Sequence, residues 1–264
     1  MNKKYAILYN PEMKNSKDVM TKLKFILTSA GVFLEILDIN NLKNGFDFVF
    51  VIGGDGTILK AARFYSECET PIFGINLGRL GFLSQASAEN LEEAVKKILS
   101  GDYKIEKRMM LKANNYTALN DFVIKGGLTG RTSRFTLEIN GKFVCEYLAD
   151  GIIISTPTGS TAYGMAAGGP VLVPETDVIA IVPICPHTFS ARPIVVSGDD
   201  VIRICPCKNN EYTVSADGQI VFSLQDGLEI SKSVKKAQLA LLNENDFYSV
   251  LRNKLHWGIS PAKI

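Results

Sequence analysis

One short run in this chain has residue types and spacing suited to chemistry on a phosphate: Gly53-Gly54-Asp55-Gly56-Thr57. It follows the apolar run Asp47-Phe48-Val49-Phe50-Val51-Ile52 and precedes a helix-like stretch, Thr57 to Phe64. Ligands of open α/β sheets gather beyond the carboxyl ends of the strands. Glycines allow a tight turn and a close backbone approach. The free N–H groups at a helix start, with about half a unit of positive charge from the helix dipole, favour phosphate. Asp55 is the discordant member, because its charge repels phosphate. It makes sense as the acceptor of a proton from an attacking hydroxyl, or as a holder of a metal ion. The plainer alternative is a turn in which Asp55 caps the helix.

Two further segments could carry binding. Asn76-Leu77-Gly78-Arg79-Leu80-Gly81-Phe82-Leu83 follows a second buried strand, Ile72-Phe73-Gly74-Ile75, and is expected on the same sheet edge. Alone it reads as an ordinary strand-to-helix loop. In Asp150 to Gly164, a β-run opens into Ser155-Thr156-Pro157-Thr158-Gly159-Ser160-Thr161-Ala162-Tyr163-Gly164. Its hydroxyls and amides suit a sugar or phosphate, with a polar surface loop as the alternative. Several signatures are missing: G-x-G-x-x-G, G-x-x-x-x-G-K-[S/T], and, around Ser160, G-x-S-x-G. His187, alone after Pro186, reads as structural rather than as a base.

The elements that must position these residues change character along the chain. Tyr5 to Tyr9 reads as a strand. Val19, Met20, Leu23, Ile26 and Leu27 mark an amphipathic helix over 17–29, stopped at Gly31. Val32 to Ile39 is a second strand, and Leu91 to Leu99 a helix before Gly101. This alternation predicts a parallel sheet with helices on both faces. Asn140-Gly141 and Asp217-Gly218 then each separate two strand-like runs, the strongest short hairpin signal. Between them lie the runs Ile152–Ser155, Val178–Val182, Ile194–Val196 and Val201–Cys205. The tail, Asp246 to Lys254, sets Phe247, Val250, Leu251 and Leu255 on one helical face. The division expected is an α/β domain over 1–104, with 236–264 returning to it, and a β-rich domain over 105–235.

With those motifs in place the sequence resembles the NAD kinase family from about residue 47 to the closing Leu251–Trp257. The Gly-Gly-Asp pentapeptide alone is weak, since diacylglycerol, sphingosine and phosphofructokinases carry relatives of it. The decisive match is Asp150 through Tyr163. Asn76 to Phe82, Leu119-Asn120-Asp121, Gly168-Gly169-Pro170 and Pro186 to Pro193 also match. The resemblance implies an α/β domain with the Gly-Gly-Asp loop, a sandwich-like β domain, a terminal helix packed back on the first, and NAD bound between the two. It implies transfer of the terminal phosphoryl group of ATP or polyphosphate to the 2′-hydroxyl of the adenosine ribose of NAD. Asp55 is then the catalytic base, in a loop of Gly53, Gly54, Gly56 and Thr57, with Phe82 from the second segment. Asn120 and Asp121 match the pair that holds the adenosine part. Asp150, and Ser160, Thr161, Ala162, Tyr163, Gly164, Met165 and Ala166, match dinucleotide contacts, while Arg131, Cys185 and Gln219 align less securely. A divalent cation, with Mg²⁺ the first candidate, and assembly into homodimers or homotetramers are also implied. Two positions depart from the pattern: Leu148 stands where many relatives are basic, and Asp121 where many have Glu. The rivals are a lipid kinase, which leaves Asp150 to Tyr163 unexplained, and a non-catalytic dinucleotide sensor.

Composition narrows the classes. The chain has 264 residues and is 46% hydrophobic, enough for one large or two ordinary cores. Its 29 basic and 27 acidic residues leave +2, with no basic stripe for nucleic acid. No apolar run approaches membrane-spanning length, and Met1-Asn2-Lys3-Lys4 leads into a strand rather than a signal peptide. Cys68, Cys145, Cys185, Cys205 and Cys207 are odd in number and scattered, which reads as reduced thiols in a cytoplasm. Cys205-Pro206-Cys207 has the look of half a metal site, but with no second pair and only two histidines in the chain a structural zinc is not expected.

Overall fold

A computed structural model of the chain describes residues 3–78, 81–126, 132–206, 212–243 and 246–257. The chain divides into two compact units, Met1–Lys107 with Ala237–Ile264, and Arg108–Lys236.

The first unit opens with β1 (Tyr5–Tyr9), α1 (Ser16–Ser29), β2 (Leu34–Asp38), β3 (Phe48–Ile52), α2 (Asp55–Tyr65), β4 (Ile72–Asn76), β5 (Ser84–Ser87), α3 (Leu91–Ser100) and β6 (Lys104–Arg108). β1 pairs in parallel with both β2 and β3, and β3 in parallel with β4. Every residue of β3 is buried, as a strand covered on both faces requires. Phe50, Ile52, Phe73 and Ile75 face α1 and α3 in one core, with Leu23, Leu27, Val95 and Ile98. Gly74 points the other way, and a Cβ there would stand 2.6 Å from Ile58 Cδ1, so its bareness lets α2 lie on the opposite face. α1 ends where Gly31 turns at φ 75°, and α3 where Gly101 turns at φ 83°.

The second unit contains β7 (Leu111–Ala113), β8 (Tyr116–Ala118), β9 (Asp121–Gly126), β10 (Ser133–Ile139), β11 (Lys142–Ala149) and β12 (Gly151–Ser155). After a 3₁₀ turn over Thr158–Thr161 come the one-turn helix α4 (Tyr163–Ala166), β13 (Val178–Ile184), β14 (Ile194–Ser197), β15 (Ile202–Pro206), β16 (Tyr212–Ala216), β17 (Ile220–Leu224) and β18 (Leu228–Lys232). They form two six-stranded sheets, β11-β10-β15-β18-β7-β8 and β14-β13-β12-β9-β16-β17. Both hairpin turns have the expected positive φ at each centre: 52° and 74° at Asn140-Gly141, 51° and 65° at Asp217-Gly218. Phe135, Leu137, Ile202 and Ile230 of one sheet share a core with Phe122, Ile124, Ile152, Ile154 and Val214 of the other.

The chain then returns with β19 (Ala237–Leu241) and α5 (Phe247–Leu255). The first unit's sheet thereby reads β2-β1-β3-β4-β19-β6, with β5 also on β4. α5 begins at Asp246, whose side chain accepts the Ser249 N–H at 2.9 Å and is held below the usual carboxylate range by it. Val250 and Leu251 are its buried residues.

Candidate active site

The glycine-rich run lies where the first unit's strand order reverses. The chain moves from β1 out to β2 and then to β3 on the other side of β1, so the loops after β1 and β3 flank the crevice that such sheets use for ligands. Their closeness shows in Thr57, whose hydroxyl lies 3.7 Å from the Met13 sulfur. A Cβ on Gly53 would fall 2.8 Å from Thr57 Cγ2, so glycine lets α2 start directly against the strand end. α2 begins at Asp55, two residues earlier than its apolar pattern suggests, with Gly54 as N-cap.

Asp55 does not cap α2. Its Oδ2 accepts the Phe82 N–H at 3.2 Å and its Oδ1 the Leu83 N–H at 3.4 Å. The second glycine-rich segment therefore grips the carboxylate from outside the helix. Gly81 is what permits it: a Cβ there would stand 2.7 Å from Asp55 Cγ. The Gly81 N–H is itself donated to Ser84 Oγ at 2.6 Å. Lys254 of α5 places its Nζ 6.0 Å from the centre of the Phe82 ring.

The second unit carries a cavity of about 420 Å³ on the outer face of the β9–β12–β16 sheet. Strand alternation builds it. Phe122 and Ile124 of β9 point into the core, so Asp121, Val123 and Lys125 point out. Likewise Tyr212, Val214 and Ala216 of β16 point in, leaving Thr213, Ser215 and Asp217 to line the cavity. Asn120, Ala162, Tyr163, Gly218 and Val221 complete the wall. Lys125 Nζ stands 5.2 Å from the centre of the Tyr163 ring, within cation–π range. Asp121 is only 4% exposed, and burial, then the neighbouring Asp217 charge, pushes its carboxyl up to about 7.

The hydroxyl-rich segment shapes this corner rather than projecting into it. Thr156 Oγ1 donates to Leu119 O at 2.6 Å, and Thr156 N–H to Asn120 O at 2.9 Å. Ser160 is buried, donating to Pro157 O at 2.7 Å and accepting the Leu172 N–H at 2.9 Å. Thr161 donates to Thr158 O at 3.4 Å. Gly159 lies so close to Asn120 that a Cβ would stand 2.6 Å from the Asn120 Cα.

Both units match descriptions of known domains. Residues 3–103 match the ATP-NAD kinase N-terminal domain, and 119–242 the ATP-NAD kinase C-terminal domain. The chain belongs to the NAD kinase family. It is accordingly a phosphotransferase. An NAD kinase from Caldanaerobacter subterraneus subsp. tengcongensis is 44% identical over 228 residues, 82% of this chain and 81% of that protein. One from Thermoanaerobacter sp. is 45% identical over 221 residues, 79% and 78% of the two chains. The solved NAD kinase of Archaeoglobus fulgidus in complex with ATP is similar at TM-score 0.82 and 29% identity, covering 96% of this chain and 98% of that one. Yeast NADH kinase complexed with NADH reaches TM-score 0.86 at 23% identity, covering 98% and 89%, a likeness of fold.

Of the residues the NAD kinase motifs single out, Gly53, Gly54, Asp55, Gly56, Thr57 and Phe82 meet in the first unit. Asn120, Asp121, Ala162 and Tyr163 meet in the cavity of the second. Ser160 and Thr161, just before Ala162, do not line it, and Gly164, Met165 and Ala166 continue α4 without lining it. Asp150 is exposed, its N–H donated to Ile184 O at 3.0 Å, one residue beyond Gly151, the β12 partner of Lys125. Cys185, exposed and at φ 45°, follows Ile184 at the same end. Gln219 lies next to Gly218 at the Asp121 end. Arg131 lies outside the described residues, as does Cys207. The four described cysteines are free thiols, and among the described residues no group of three or more His, Cys, Asp or Glu stands ready for a metal. Motif reading missed Lys125, Thr213, Ser215 and Asp217. The signal was in the alternation Tyr212-Thr213-Val214-Ser215-Ala216-Asp217, which sets its polar members on one face.

Proposed function

We propose that the chain transfers the terminal phosphoryl group of ATP, or of polyphosphate, to the 2′-hydroxyl of the adenosine ribose of NAD, giving NADP. The observation that supports it is the state of Asp55: a carboxylate at a phosphate-favouring helix start, aimed by the amides of Phe82 and Leu83 and engaged with no N–H of its own helix. In the step proposed, the ribose oxygen bonds to the terminal phosphorus, the bond from that phosphorus to the bridging oxygen breaks, and Asp55 takes the hydroxyl proton. Phosphoryl transfer asks the protein mainly for positioning and electrostatic stabilisation, which one fixed carboxylate and the α2 amides supply.

Asn120 and Asp121 would hold the ribose hydroxyls, the Tyr163 ring would offer a face to the base, and Lys125 would bring charge to a phosphate, the role Leu148 cannot fill. A divalent cation such as Mg²⁺ would arrive on the donor's phosphates, since Mg²⁺ commonly binds through one or two carboxylates plus substrate oxygens. Asp55 is the carboxylate placed to meet it, and the ion's chemistry would be neutralisation of phosphate charge. Assembly into dimers or tetramers is supported by the exposed apolar side chains of Phe143, Val144 and Phe189. Residence in the cytoplasm is supported by the free thiols. No described helix is long and apolar enough to cross a membrane.

The test is direct: incubate the protein with NAD, ATP and Mg²⁺ and assay NADP with an NADP-specific dehydrogenase. NADP is expected to accumulate. Tight NAD binding without NADP would favour a sensor, and phosphorylation of diacylglycerol vesicles a lipid kinase.

A further inference from the structure

The cavity of the second unit rests on a carboxylate to which the proposed reaction gives no role. Asp217 sits in the turn between β16 and β17, buried and at φ 51°. Its Oδ1 accepts the Asn120 N–H at 2.7 Å and the Asp121 N–H at 3.3 Å, and its Oδ2 accepts the Leu119 N–H at 3.1 Å. Its own N–H is donated back to Asp121 O at 3.0 Å. Three successive amides thus converge on one side chain almost a hundred residues away, just where the chain bends into β9. Leu119 and Asp121 are buried, so without this acceptor their donors would be stranded at a cost of about 1–3 kcal/mol each.

The same carboxylate lies beside the Asp121 carboxyl at the cavity wall. Among the described residues, the other charged or titratable groups lining the cavity are Lys125, on β9 at its far end, and Tyr163 of α4; Thr213 and Ser215 add neutral hydroxyls. Burial first, and after it the like charge of Asp217, push the Asp121 carboxyl up.

We propose that Asp217 is a positioning residue with two effects: it fixes the Asn120–Asp121 corner, and its charge sets the pH range over which the cavity accepts an anionic dinucleotide. This rests on the reading of the cavity as the adenosine-ribose site. A neutral Asp121 carboxyl both donates to and accepts from sugar hydroxyls and does not repel the pyrophosphate. An ionised one beside Asp217 adds a second negative charge. KM for NAD should therefore rise as pH passes through about 7.

Asp217→Asn keeps one acceptor oxygen, for the Asn120 and Asp121 amides, and a residue type that tolerates the left-handed turn, while removing the charge and the acceptor of the Leu119 N–H. KM and kcat for NAD are measured from about pH 5 to about pH 9, on either side of the raised Asp121 value. The inflection in KM is expected to move down by about one pH unit or more, the scale of shift a close like charge produces. kcat at saturating NAD should change less than KM, and Asp121→Asn should show no inflection. A uniform rise in KM with the inflection unmoved would reduce Asp217 to a structural brace and overturn the proposal. Should Asp217→Asn not fold, carbon-13 carboxyl NMR of the wild-type protein decides. Asp121 titrating near neutrality, with the Asp217 carboxyl signal responding over the same pH range, supports the proposal, and an Asp121 titration in the ordinary carboxylate range or one that Asp217 does not sense overturns it. Because the NMR needs no substrate, it separates failure of this inference from failure of the NAD kinase reading.

Discussion

Asp55 is held at both oxygens by the amides of Phe82 and Leu83, and those amides reach it because residue 81 has no side chain. The residue types of this site were legible: Gly53-Gly54-Asp55-Gly56-Thr57 packs a carboxylate among glycines at a strand end, a combination that bare turn chemistry does not call for. What local pattern could not show is the grip, because the partners lie 27 and 28 positions away. Gly81→Ala tests the grip without touching the carboxylate itself. The added methyl must displace either the Asp55 side chain or the loop. A misplacement of about 1 Å can cost about 10²-fold in rate, so kcat is expected to fall by about that factor while the melting temperature moves little. Wild-type kcat in this variant would show that the placement of Asp55 by this loop does not matter.

At the scale of elements, legibility followed local signals. The Asn140-Gly141 and Asp217-Gly218 hairpins could be read because both turn centres need positive φ, and both have it. α1 and α3 could be read from helical spacing and their glycine stops. β7 and β8 are three residues each, too short for alternation to register, and β5, Ser84–Ser87, is buried without being apolar in type. The segment from Thr156 to Thr161 has a structural side that its residue types do not announce. Thr156, Ser160 and Thr161 donate their hydroxyls to backbone groups of this unit. These bonds seat the 3₁₀ turn against Asn120. Gly159→Ala puts a methyl into the Asn120 backbone, which cannot swing aside as a side chain can. Overpacking of this kind costs about 1–3 kcal/mol. Calorimetry should show a lowered melting temperature, and kinetics a raised KM for NAD. An unchanged KM would detach the turn from the site.

The whole molecule is organised by a chain that leaves its first unit and comes back. β19 enters the first sheet between β4 and β6 after the second unit is complete, a pairing no local pattern encodes. The alternation over the first hundred residues could show a parallel sheet with helices on both faces, but not that its order would be closed by residues 237–241. Asp55 belongs to the first unit, and Asn120 and Asp121 to the second. Neither core depends on the Asp55 carboxylate, since the first is built from residues such as Phe50, Phe73 and Leu23, and the second from Phe122, Phe135 and Ile154. Asp55→Asn should therefore leave the molecule folded and able to bind NAD. The most direct measurement is its turnover of NAD and ATP to NADP beside the wild-type protein, with NAD affinity and thermal unfolding recorded on the same samples. General-base assistance contributes about 10²–10⁴-fold, so kcat should fall by that factor with affinity and melting temperature nearly unchanged. A folded variant that makes NADP at the wild-type rate would contradict the account.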